Sequence, residues 1–150
     1  MKTRGFEKIS QYAGVDFPLP RRKTKFSAGY DMFVPEQVVL LPGKVTLVPT
    51  GVKAYMQEGE FLGLHIRSSA AIKRGLRLVN NVGIIDADYY NNPDNEGHIM
   101  VAIENTKNEA VVLEKDECIA QGIFYSFLLA DDDDKAVKEE RKGGIGSTGK

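Results

Sequence analysis

The sequence has no tryptophan, a single cysteine and two histidines in 150 residues. A lone Cys118 cannot close an intrachain disulfide, which points to a reducing cytoplasm. Cysteine and histidine together are too few for a typical zinc site. Long apolar runs are missing, and none approaches the ~20 residues of a transmembrane helix. The first 14 residues carry charges but no apolar stretch of the signal-peptide kind. No sign of charge is in excess either. Twenty Lys and Arg stand against 21 Asp and Glu, a net charge of −1, which argues against direct binding of nucleic acid.

What is present is a globular composition, with 42% hydrophobic and 27% charged residues. The length suits one domain, which at this size buries roughly two-thirds of its unfolded surface without a disulfide. The first 27 residues read as irregular, with Pro18 and Pro20 around an extended stretch. The basic run Arg21, Arg22, Lys23 and Lys25 reads as a solvated edge, with attraction of an anion as the functional alternative. From Val34 onward the signals are β. Short segments rich in Val, Ile and Phe at 38–41, 45–49, 52–56, 61–66, 99–104, 110–113 and 118–129 are separated by Gly, Pro, Asn and Asp. This pattern predicts a β-sandwich or barrel. Only 69–74 looks helical, for one or two turns. From Asp131 the chain turns charge-dense and then glycine-rich, which predicts a flexible arm over 131–150 after a domain over 1–130.

Four stretches carry chemistry. Arg67-Ser68-Ser69 follows a predicted strand and opens the short helix. Its hydroxyls suit helix capping, and its arginine offers a planar fork to phosphate. Asn80 to Tyr89 holds Gly83, which permits close approach of a ligand. It also holds Asp86 and Asp88, which share a face if the strand is regular. A carboxylate there can deprotonate a water beside a phosphate ester; an Asx-rich turn is the plainer reading. Gln121 sits in an apolar strand and needs a hydrogen-bond partner if buried. Arg141 to Gly149 combines two cations, glycines and two hydroxyls, the chemistry of a phosphate-clasping loop. It is no Walker A motif, because its lysine precedes the glycines.

With Ala28-Gly29-Tyr30-Asp31-Met32, these stretches fall in the order of five motifs. The sequence resembles the trimeric deoxyuridine triphosphatase (dUTPase) family from Ser27 to Gly149. The resemblance implies an all-β, distorted jelly-roll barrel with a short helix and a flexible C-terminal arm. It implies a homotrimer whose sites draw the first, second and fourth motifs from one chain, the third from another and the arm from the remaining one. The implied reaction is hydrolysis of dUTP to dUMP and pyrophosphate, which keeps uracil out of DNA.

Asp86 matches the carboxylate that activates water and lies near the deoxyribose 3′-OH. Arg67, Ser68, Ser69 and Gln121 match phosphate-binding positions, and Asn80 a position beside base and water. Gly83, Ile84 and Ile85 match a hairpin that reads uracil with its backbone. Met100 falls where a further backbone contact to uracil is expected. Tyr89 matches the ring that packs on deoxyribose. Arg141, Gly146, Ser147 and Thr148 match residues that grip the β- and γ-phosphates. Asp31 matches a carboxylate that helps hold Mg²⁺ through water, the ion resting mainly on the triphosphate. The pattern departs in two places. Ile145 stands where the family has an aromatic that stacks on uracil, and Tyr90 is the candidate replacement. Residues 90–96, from Tyr90 to Glu96, form a turn several residues longer than the family's, expected as an exposed loop and a surface for a regulatory partner. The alternatives are a catalytically weak dUTP-binding regulator and a dCTP deaminase relative. The latter would use a glutamate where this chain reads Asp86-Ala87-Asp88-Tyr89.

Overall fold

The computed structural model describes residues 1–135 and 138–144. Among them are twelve strands and one α-helix. In chain order the strands are β1 (Gly5–Lys8), β2 (Arg21–Arg22), β3 (Tyr30–Phe33), β4 (Val38–Leu40), β5 (Val45–Pro49) and β6 (Val52–Tyr55). They continue with β7 (Glu60–Ile66), β8 (Leu76–Leu78), β9 (Gly83–Asp86), β10 (Met100–Asn105), β11 (Val111–Leu113) and β12 (Cys118–Ser126). Helix α1 spans Ser68–Arg74. The all-β class expected from the sequence is the class the chain adopts.

Four antiparallel groups make up the fold: β1-β6, β5-β10-β8, β11-β4 and the five-stranded sheet β2-β3-β12-β7-β9. They enclose two apolar clusters. Val34, Leu40, Val48, Leu76, Leu78, Val101, Ile103, Leu113 and Ile119 fill one. Ile9, Tyr12, Phe17, Met32, Val52, Leu62, Leu64, Tyr89 and Ile99 fill the other. On β10 the burial alternates strictly, with Val101, Ile103 and Asn105 inward. Asn105 is tolerated inside because its amide donates to the carbonyls of Leu40 and Glu109; a buried polar group needs such partners.

The amino terminus differs from the irregular segment expected. Gly5–Lys8 pairs with β6 in the register Gly5↔Tyr55 to Lys8↔Val52, and Ile9, Tyr12 and Phe17 enter the second cluster. The pairing partner lies some fifty residues away, so no local pattern announces it. Arg21–Arg22 forms the edge strand beside β3, with Arg21 over the Phe33 ring and Arg22 donating to the Lys25 and Ser27 carbonyls. The serines do not cap the helix. Arg67 is the extended N-cap and no side chain bonds the first turn.

Candidate active site

The stretch 79–89 is a tight turn followed by an edge strand. Asn81 takes a left-handed φ of 61°, and its N–H returns to the Leu78 carbonyl at 3.0 Å. Asparagine is among the few residues that accept this conformation. β9 then pairs with β7, Leu64↔Gly83 to Phe61↔Asp86. Gly83 is in ordinary strand conformation. Its smallness is used against Leu64, whose Cβ would lie 3.1 Å from an added Cβ. Asp86 is the last strand residue, and Ala87–Tyr89 continues as a 3-10 turn. Asp86 and Asp88 therefore converge through a turn, not through strand alternation.

Between this edge and β10 lies a cavity of about 280 Å³, at the low end for small-molecule pockets. Its wall includes Asn80, Gly83, Ile84, Ile85, Asp86, Tyr89, Met100 and Arg141, all expected from the sequence. Leu47, Leu64, Leu78, Val101, Ala102 and Gly144 complete it; the sequence reading did not single these out, and for Leu78 and Val101 alternation on β8 and β10 was the available signal. Tyr89 is 5% exposed. Its hydroxyl donates to the His98 carbonyl at 2.6 Å and accepts from Asn95 Nδ2 at 2.9 Å. Burial pushes its pKa up, so it stays a neutral phenol.

Arg141 closes the mouth. Its Nη2 lies 2.8 Å from Asp86 Oδ2 and its Nε 2.6 Å from Asp88 Oδ1, with the guanidinium over the Tyr89 ring at 5.7 Å. Arg141 thus pairs with this chain's own carboxylates, where the resemblance implied an arm reaching another copy. Ile145, Gly146, Ser147 and Thr148 lie outside the described residues.

A second group forms elsewhere on the five-stranded sheet. Asp31 on β3 pairs in register with Gln121 on β12, and Gln121 with His65 on β7. Arg67, at the end of β7, donates to Asp31 Oδ1 at 2.5 Å, and Ser68 and Ser69 follow it. The Gln121 side chain crosses the face of Gly29: a Cβ there would fall 2.0 Å from its Oε1. Cys118 beside them has its thiol pushed up to about 11 by burial and then by the Asp31 charge, so it is unreactive at neutral pH.

The two groups do not meet within one chain. Asp86 stands opposite Phe61 and Phe61 opposite Tyr125, four residues along β12 from Gln121. With strands ~4.8 Å apart and ~3.3 Å per residue, Asp86 and Gln121 are roughly 16 Å apart. No single phosphate touches both.

One expectation is corrected here. Tyr90 does not face the cavity. It donates to Glu7 Oε1 at 2.5 Å and meets the Tyr55 ring edge-on. The 90–96 stretch is exposed at Asn91, Pro93 and Asp94, as expected, and is tied by hydrogen bonds. Asn92 donates to the Tyr89 carbonyl and to Asn95 Oδ1, both at 2.8 Å, and accepts from the Asp94 and Asn95 amides. Glu96 accepts from the Ser10 amide and hydroxyl and from the buried Lys53.

For magnesium, no three His, Cys, Asp or Glu side chains converge among the described residues. A buried carboxylate already paired with an arginine suits a hydrated, phosphate-bound ion better than a bare one.

An all-β chain with a small-molecule pocket, a carboxylate at its mouth and an arginine–carboxylate pair across the same sheet is the frame of a nucleotide hydrolase. The dUTPase family profile matches residues 15–149. Over 149 residues the chain is 53% identical to the deoxyuridine 5′-triphosphate nucleotidohydrolase of Lactococcus lactis, covering 99% of both. Its fold matches the crystal structure of dUTPase from Streptococcus mutans with a TM-score of 0.80 and 52% identity, over 85% of this chain and 98% of that one. It also matches Staphylococcus bacteriophage 80alpha dUTPase with dUpNHpp, at a TM-score of 0.68 and 26% identity over 99% of each. The chain belongs to the dUTPase family and is a dUTP nucleotidohydrolase.

Proposed function

We propose that the chain hydrolyses dUTP to dUMP and pyrophosphate at a site shared between copies, with Asp86 activating the attacking water. The observation that carries this reading is the cavity itself: Asn80, the Gly83–Asp86 edge, Tyr89 and Met100 line one nucleoside-sized space with a carboxylate at its rim. The backbone of Gly83, Ile84 and Ile85 reads the uracil edge, joined by Met100, and leaves no room for a C5 methyl group. The immobile Tyr89 ring takes the deoxyribose and excludes a 2′-hydroxyl.

Asp86 accepts a proton from water as the water oxygen attacks the α-phosphorus. The P–O bond to the β-phosphate breaks, and pyrophosphate leaves with the electron pair. Arg67, Ser68, Ser69 and Gln121 hold the phosphates, with Asp31 aiming the Arg67 fork. Arg141 moves from the two carboxylates to the β- and γ-phosphates, joined there by Gly146, Ser147 and Thr148. That exchange frees Asp86 for the water. Mg²⁺ bound to the triphosphate would neutralise its charge, and Asp31 would hold one of its waters.

The distance between the two groups supports a second copy as the source of the phosphate set. Exposed Val39, Leu41, Val45, Leu47 and Val112 supply apolar surface for such an assembly, read here as a homotrimer. We place the division between body and arm near residue 130, after β12 ends and the chain becomes exposed, and the protein in the cytoplasm on the strength of its lone cysteine.

The test offers dUTP, dCTP, dTTP and UTP with Mg²⁺ and assays pyrophosphate and ammonia. Pyrophosphate from dUTP far above the other three is expected. Ammonia from dCTP, or equal turnover of dTTP or UTP, contradicts the assignment of the hairpin and Tyr89.

A further inference from the structure

Seven arginines occur in the chain, and six of them hold an acceptor. Arg4, Arg67, Arg74, Arg77 and Arg141 each pair with a carboxylate. Arg22 donates to the Lys25 and Ser27 carbonyls and so ties the turn between β2 and β3. Arg21 is the seventh. Among the described residues its fork meets neither a carboxylate nor a carbonyl. A planar guanidinium suits bidentate binding of phosphate, and this one is unengaged.

Its place on the sheet is specific. Arg21 stands directly opposite Asp31 on β3, Asp31 opposite Gln121 on β12, and Gln121 opposite His65, two residues before Arg67. Side chains directly opposite one another share a face of the sheet. Arg21 therefore projects from the face that carries Asp31, Gln121 and Arg67. Two strand spacings, roughly 10 Å, separate its backbone from that of Gln121, and its long side chain covers much of that gap. The guanidinium lies over the Phe33 ring at 5.3 Å. Phe33 is two residues beyond Asp31, on the same face. Stacking on a ring steadies the plane of the fork and leaves its N–H edge open to an anion. Asp31 does not bar that anion, because Arg67 answers its charge at 2.5 Å. The face thus carries two arginines to one carboxylate.

We propose that Arg21 is a further phosphate-binding residue of the site, holding the end of the triphosphate that leaves as pyrophosphate. The inference rests on the reading of Arg67 and Gln121 as the phosphate set. Those two are half-buried, and Arg21 is exposed at the edge of the sheet. The phosphates farthest from the nucleoside reach the outermost cation. The basic run is then divided by task. Arg21 touches substrate, Arg22 builds the turn, and Lys23 and Lys25 add only a screened field.

The experiment measures Kd by calorimetry with Mg²⁺, for dUpNHpp and for dUMP, in Arg21→Gln, Arg21→Lys, Lys23→Gln and the parent protein. Losing a hydrogen bond to a charged group weakens binding on the order of tenfold. Arg21→Gln is expected to show that loss for dUpNHpp and almost none for dUMP, which lacks both leaving phosphates. Retained dUMP binding also shows that the variant is folded. Arg21→Lys keeps the charge without the fork and recovers only part of the loss, and Lys23→Gln stays near the parent. Full recovery in Arg21→Lys, or an equal loss in Lys23→Gln, shows a diffuse field in place of a contact and overturns the proposal. Equal weakening of dUMP and dUpNHpp overturns it too, since it puts Arg21 away from the leaving phosphates. Arg67→Ala separates the two readings. If it weakens dUpNHpp and Arg21→Gln does not, Arg21 has no part in the site and the site reading stands. If Arg67→Ala binds dUpNHpp as the parent does, the site reading fails instead.

Discussion

Asp86 ends a strand, half exposed at the rim of an apolar cavity, with its charge answered by Arg141. A carboxylate so placed is reachable by water and by a phosphate, and its arginine partner is itself a phosphate ligand by chemistry. Asp88 shares the same guanidinium from the turn beyond. The expected outcome of Asp86→Asn is a loss of kcat of about 10²–10⁴-fold, the usual worth of a positioned base. Binding of a non-hydrolysable dUTP analogue by calorimetry should be retained, because the isosteric amide keeps the cavity. Turnover within a few-fold of the parent would remove Asp86 from its role. At this scale the sequence was informative. Asn80, Gly83, Asp86, Tyr89 and Met100 were all legible from ordered motifs. The ties of Asn91 and Glu96 were not, because they run to Ser10 and Lys53, contacts far off in sequence.

Among the elements, strands with dense Val, Ile and Phe between turn residues were readable: β5, β7, β10 and β12 fall where the pattern put them, within a residue or a few at their ends. β1, β3, β8 and β9 were not. Each has three or four residues, often including Gly, Asp or Arg, and long-range pairing decides their state over local propensity. One such pairing involves His98, which follows the long turn. Its Nε2 accepts the Gly51 N–H at 3.0 Å, binding the turn to the loop before β6. Burial lowers its pKa below the usual 6.5, against smaller opposing effects of Glu96 and Glu36. The sign follows from linkage. The unfolded chain takes up the proton first, so this stability is complete above about pH 6.5 and is lost as pH falls through the lower folded value. Glu7, Glu60 and Glu96, held low chiefly by Lys2, Arg4 and Lys53, act only below 4.5. Denaturant midpoints should therefore fall between pH 7.5 and 5.5, and His98→Gln, which can still accept the Gly51 N–H, should fall less. Equal falls in both proteins would show that another group governs this window.

For the whole molecule the governing fact is separation. One chain carries the cavity with its carboxylate and, roughly 16 Å away on the same sheet, the Arg67–Asp31 pair beside Gln121, proposed above to hold the phosphates. The family resemblance implied a site divided between chains; the separation within one chain follows from strand order β3-β12-β7-β9. A site assembled between copies predicts complementation. Arg67→Ala and Asp86→Asn each inactivate a homogeneous protein by removing opposite halves. When the two are unfolded together, mixed and refolded at equal amounts, random assembly in a closed ring of three gives intact halves at about one site in four. The account predicts recovery of about a quarter of the parent dUTPase rate from two inactive proteins. If the mixed assembly forms and remains as inactive as its parents, the two halves do not come from different chains, and the shared site is wrong.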